Sequence, residues 1–132
     1  MGEQRVHELR LVVTAEDYDE ALRFYRDVLG MPELGAFADD AGRVAILDAG
    51  RATLELSDPP HSEYIDEVEV GRRVAGHVRV ALRVDDSTVE TRRLAEAGAT
   101  VLAEPRPTPW GSLNSRLEAP AGLQLTLFSG GE

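Results

Sequence analysis

The stretch HVRVALRVDD, beginning at His77, places an imidazole at the mouth of a strand-like run that ends on two aspartates. Imidazole is the commonest metal-binding side chain, so the position raises the question of a metalloenzyme. A catalytic zinc site takes three protein ligands drawn from His, Asp, Glu and Cys. The chain has three histidines, His7, His61 and His77, and no cysteine. Thiolate sites, disulfides and a cysteine nucleophile are therefore excluded together. GRRVAG at Gly71 lacks the glycine spacing and the lysine of a phosphate loop. His61 follows DPP in a polar stretch, where an exposed side chain is expected.

The elements that would carry such groups occur twice. A shift of 69 residues lays Arg10-Leu11-Val12-Val13 on Arg79-Val80-Ala81-Leu82, and Glu16-Asp17 on Asp85-Asp86. Each run alternates as a strand does and ends on an acid suited to cap a helix. Asp17 with Glu20 forms a capping-box pattern, followed by Ala21, Leu22, Tyr25, Val28 and Leu29 near helical spacing and by Gly30 at the C′ position. In the second copy Asp86 is the cap, Val89, Leu94 and Ala97 the apolar stripe, and Gly98 the terminator. Strand-like pieces follow at Pro32–Phe37, Arg43–Asp48 and Ala52–Ser57, and again at Thr100–Glu104, Leu113–Glu118 and Leu123–Phe128. RATLEL at Arg51 matches GLQLTL at Gly122 under a shift of 71.

The pattern predicts an α+β fold of two tandem βαβββ modules, about 8–57 and 77–128, in one domain over 1–132. The segment 58–76 between them shows no sustained periodicity; it reads as a linker, with a flap over a pocket or an arm on a partner subunit as the functional alternative. The formal charge of −10 speaks against nucleic-acid binding, which needs basic residues to neutralise phosphates. No apolar run is long enough to span a bilayer, and MGEQRVHELR has no apolar signal core, so a cytoplasmic protein without membrane contact is expected.

DYDEALRFYRDVLGM, from Asp17, and APAGLQLTLF, from Ala119, resemble segments of the vicinal oxygen chelate superfamily, over roughly Glu8 to Phe128. That superfamily includes glyoxalase I, extradiol dioxygenases, fosfomycin-resistance enzymes and bleomycin-resistance proteins. The resemblance implies modules curved into open, cupped mixed sheets with helices outside, often paired as homodimers. It also implies metal ligands at the start of each module's first strand and on each last strand. Counting seven residues back from Asp17 and Asp86 gives Arg10 and Arg79, and the closing strands give Glu55 and Thr126. An Arg, Glu, Arg, Thr set does not bind a divalent ion, because guanidinium has no lone pair to give. No metal and no cofactor are expected, with Glu55 and His77 as the only fallback ligands. His77 shares parity with Arg79 but lies two residues nearer the rim, whereas His7 has the opposite parity to Arg10.

By the same resemblance Arg10 is expected to pair with Glu55, while Arg79 is left for an anionic ligand unless Glu118 or another subunit satisfies it. Thr53 and Gln124 share parity with Glu55 and Thr126 and should line the same concavities. Trp110, the only tryptophan, offers a flat wall for an aromatic ligand, and Asn114 and Arg116 follow at alternate positions. The reading is a metal-free binding or sequestering protein for an organic small molecule, of the glyoxalase/bleomycin-resistance type. The alternative is an enzyme of the superfamily, a lyase, isomerase or dioxygenase, either metal-dependent with displaced ligands or using Glu55 as general base. Pairing with Arg10 would depress Glu55 and counts against the latter.

Overall fold

A computed structural model describes residues 4–131. The first half runs β1 (Val6–Thr14), α1 (Tyr18–Leu22, prolonged by a π-helical turn over Arg23–Val28), β2 (Glu33–Asp39), β3 (Gly42–Asp48) and β4 (Thr53–Ser57). After α2 (Pro59–Glu69) come β5 (Val78–Val84), α3 (Ser87–Glu96), β6 (Thr100–Pro107), β7 (Ser112–Ala119) and β8 (Leu123–Gly130). The strands form one open sheet in the order β2-β3-β4-β1-β5-β8-β7-β6. β1 runs parallel to β4 and β5 parallel to β8, and the halves meet where β1 and β5 pair antiparallel. This is the α+β architecture expected from the repeat. No helix among the described residues is long and apolar enough to cross a membrane.

Alternation along the strands decides which face each residue serves. On the convex side Ala45, Leu47, Leu54 and Leu56 pack with Tyr18, and Ala21, Leu22 and Tyr25 of α1 close over them. Val84, Leu117 and Leu127 form the matching cluster of the second half, against Leu94. The concave face keeps a small apolar patch, Val12, Ala81 and Phe128, amid charged and hydroxylic residues.

Asp17 and Asp86 cap their helices as expected, although among the described residues the Glu20 side chain makes no return bond, so the capping box is half formed. The Asp17 carboxylate accepts the Glu20 N–H at 3.0 Å, and Asp86 accepts those of Thr88 and Val89 at 3.0 and 3.2 Å. Asp86→Ala should lower stability by about 1 kcal/mol in urea unfolding, with the larger loss on the unfolding side if α3 docks late.

The helix faces depart from expectation. Val28 and Leu29 are 61% and 57% exposed, because the wider π-helical turn rotates them off the buried face. On α3 Val89 is exposed, and the residues that face the sheet are Ser87, Thr91 and Leu94. The hydroxyls explain it: Ser87 donates to the Leu113 carbonyl at 2.9 Å, and Thr91 meets Ser115 at 2.7 Å.

The segment 58–76 holds a helix rather than only a linker. Asp58 caps it, accepting the His61 N–H at 3.0 Å, and Pro59 and Pro60 occupy its first turn. Its buried residues are Ser62, Ile65, Asp66 and Glu69, a regular helical stripe. Three of the four are polar, so the stripe carries no apolar periodicity. The β2–β3 turn seats its first turn closely. A Cβ at Gly42, whose φ is +99°, would stand 2.5 Å from the His61 amide nitrogen.

Candidate functional site

α2 lies across the concave face and leaves a cavity of about 390 Å³ beneath it, the size of a small organic ligand. Strand register puts the charged residues in rows across its floor. Glu55 on β4, Val12 on β1 and Arg79 on β5 are successive partners. One row on, Arg10, Ala81, Thr126 and Arg116 follow one another across β1, β5, β8 and β7. At the mouth stand Phe37 on β2 and Trp110 in the β6–β7 turn, 64% and 45% exposed. Their strands lie towards opposite ends of the sheet order, so the curl of the sheet brings both ends to one opening.

Arg79 is buried, and its Nη1 donates to Thr126 Oγ1 at 2.8 Å. Burial pulls its guanidinium below the ordinary arginine value, with Glu69 opposing the shift. Glu118 is not its partner; it stands on the surface.

The expected Arg10–Glu55 pair is not formed. Arg10 Nε donates to Glu8 at 2.8 Å, Arg83 Nε donates to the other oxygen of Glu8 at 3.1 Å, and both guanidiniums lie 4.8 Å from the Phe128 ring centre. Glu8 lies on Arg10's own strand face, two residues away, and reaches the guanidinium first. Among the described residues no hydrogen-bond donor reaches the Glu55 carboxylate, which lines the cavity half-buried. Burial raises it above the usual glutamate value, against the pull of Arg79 and Arg10.

The remaining predicted residues divide. Thr126, Trp110 and Asn114 line the cavity. Gln124 does not; it accepts from Arg116 at 2.6 Å and donates to the Val74 carbonyl at 3.0 Å, fastening the chain after α2. Thr53 borders instead an apolar groove beside Leu9 and Leu11, and its hydroxyl is buried without a partner among the described residues. His77 is exposed ahead of β5, and its carbonyl accepts the Thr14 N–H at 2.9 Å. His7 meets Asp85 at 2.9 Å on the outside. His61, expected in solvent, lines the cavity because α2 carries it there; burial lowers its pKa.

Asn114 and Arg116, singled out as neighbours on one face, bind α2 down through Asp66 and Glu69, which the sequence did not single out. Arg116 is wholly buried and donates to Glu69 at 2.7 and 3.0 Å and to Asp66 at 2.8 Å. Asn114 donates to the other Glu69 oxygen at 2.7 Å, and Asp66 also accepts the N–H groups of Val74 and Ala75. A helix whose polar residues recur at 62, 66 and 69, facing an arginine at an inward strand position, was the available signal.

The donor set does not suit the divalent ion that the superfamily resemblance implies. Of Arg10, Glu55, Arg79 and Thr126, only Glu55 is an anionic ligand, and Arg79 sets a positive charge beside it. No group of three or more His, Asp or Glu side chains gathers as a ligand set among the described residues.

Comparisons with known proteins agree with this architecture. The description of the Glyoxalase/Bleomycin resistance protein/Dioxygenase superfamily matches residues 7–127, and the chain belongs to that superfamily. Among solved structures, the hypothetical protein BH1468 from Bacillus halodurans C-125 superposes with a TM-score of 0.72 at 18% identity, over 98% of this chain and 97% of that one. Methylmalonyl-CoA epimerase from Mycobacterium tuberculosis gives 0.64 at 20% identity, over 97% and 89%. A superfamily member from Vibrio splendidus 12B01 gives 0.64 at 13% identity, over 92% and 97%. At these identities the likeness is one of fold. No curated protein matched the sequence.

Proposed function

We propose that this protein binds a small, flat organic acid in the cup beneath α2, and that it does so without a metal. The observation that carries this reading is the buried Arg79, one of whose N–H donors is engaged by Thr126, set at the floor of a cavity with Phe37 and Trp110 at its mouth. A guanidinium in a partly desolvated cavity favours a carboxylate or enolate oxygen, and the two rings give a planar body its apolar walls. The same reading takes the protein as cytoplasmic and homodimeric; exposed Leu9, Leu11, Val28 and Leu29 on the convex side support the pairing.

A second reading builds on the first: Glu55 acts on the bound acid as a general base. It is favoured by a carboxylate that lacks a donor and is raised by burial. The proton of a C–H bond beside a carbonyl passes to a Glu55 oxygen, and the bond pair moves into the carbonyl as an enolate facing Arg79. Return of the proton at the same or a neighbouring carbon gives exchange or isomerisation. The commitment of Arg10 to Glu8 removes the objection that an ion pair would hold Glu55 acidic.

Phenylpyruvate combines a carboxylate, a ring and an acidic C–H. It should quench Trp110 fluorescence saturably in chelator-treated protein, and Arg79→Ala should weaken that binding about tenfold to a hundredfold. Binding that appears only on adding zinc or manganese would overturn the metal-free reading.

A further inference from the structure

Thr126 stands at a junction whose directions are fixed. Its hydroxyl donates to Glu69 Oε1 at 2.8 Å and accepts from Arg79 Nη1 at 2.8 Å and Arg116 Nε at 3.2 Å. A hydroxyl has one proton and two lone pairs, and a guanidinium cannot accept, so no other assignment satisfies the four groups. Glu69 cannot turn away, because Arg116 holds one of its oxygens twice and Asn114 holds the other.

The alternative open to Arg79 is also on the same face. Glu55 lies two strands away in the same row, with Val12 between, and it is the one carboxylate on this floor without a donor among the described residues. The charged groups around it are Arg79, Arg10, Glu69 and Glu8, and Arg10 is already occupied by Glu8.

We infer that Glu69 and Thr126 are positioning residues for Arg79: α2, through its glutamate and the β8 hydroxyl, holds the guanidinium in place and prevents it from collapsing onto Glu55. A direct Arg79–Glu55 pair would remove two functions at once, the anion anchor and the unpaired carboxylate. The significance for ligand rests on the function proposed above; the arrangement of side chains does not.

The test therefore reads Glu55 without any ligand. Its side-chain carboxyl carbon is followed through a pH titration by NMR, with the resonance assigned by its loss in Glu55→Gln. In the unaltered protein it should titrate above an ordinary glutamate. In Thr126→Val, close in shape but without the hydroxyl, it should titrate below one, because the released Arg79 pairs with it. Thr126→Ser keeps the hydroxyl and should restore the original curve, and Thr126→Val should weaken phenylpyruvate binding about tenfold. A Glu55 titration unmoved in a folded Thr126→Val protein overturns the inference. Loss of the fold in Thr126→Val shifts the test to Glu69→Gln, where an unmoved curve overturns it equally. The expected titration shift in a protein that never binds phenylpyruvate would retire the ligand reading and leave this one standing.

Discussion

Arg116→Met should destabilise the protein by about 3–5 kcal/mol in urea unfolding, the largest loss expected of any single change here. The side chain is wholly buried and is the cation that both Glu69 and Asp66 face at hydrogen-bond distance. Methionine keeps much of the volume but leaves two carboxylates under the helix without their common cation. Neutral donors remain on both, Val74 and Ala75 on Asp66 and Asn114 and Thr126 on Glu69, but their charge is no longer balanced, which is what makes breaking such a cluster so much worse than never having built it. The comparison that checks the cause replaces all three together, Arg116→Met with Asp66→Asn and Glu69→Leu. That variant should regain most of the loss. If it remains as unstable as Arg116→Met alone, the damage lies in packing and not in orphaned charge.

Glu55→Gln should give opposite signs in two measurements. Deuterium exchange at C3 of phenylpyruvate, followed by NMR above the buffer rate, should fall about 10²- to 10⁴-fold, the usual span for loss of a general base. At pH 7 the melting temperature should rise, by a stability gain on the order of 1 kcal/mol. The sign follows from the direction of the shift. Burial raises the folded-state value of Glu55 above its unfolded one, so the folded protein binds this proton more tightly. The stabilisation is complete below the unfolded value and is lost as pH rises through the folded one. The cost of burying this carboxyl therefore grows as pH rises above the unfolded value, and glutamine, which does not titrate, is free of it. At acidic pH the two proteins should melt together. A melting temperature that falls at pH 7 would mean that Glu55 has a stabilising partner after all.

The fold was legible because the chain states it twice. Arg10 to Val13 and Arg79 to Leu82 fixed the two central strands, and Asp17 and Asp86 the helix starts, since capping acids and alternating runs are local signals. The site was legible only in part. Strand parity and family position brought Glu55, Arg79 and Thr126 to one floor, which the register supports. Parity could not say that Arg10 turns to Glu8, because the choice between two carboxylates is made by side-chain reach. Gln124 has the right parity and is still excluded, since Arg116 and Val74 claim its amide. The helix above the site was hidden because its inward stripe is acidic and hydroxylic, and hydropathy assigns such residues to water.

That helix has a consequence for the order of assembly. Glu69 meets Arg116 across 47 residues of chain, and Asp66 meets it across 50, whereas β2–β3 and β7–β8 close as neighbouring hairpins. Contacts so far apart in sequence reward the chain only after the long loop between them has been closed. The first turn of α2 already seats on the β2–β3 turn, but the β7 and β8 surface must exist before Asp66 and Glu69 have their partners. The inner half of the helix therefore finds its cation only when both halves of the sheet are in place.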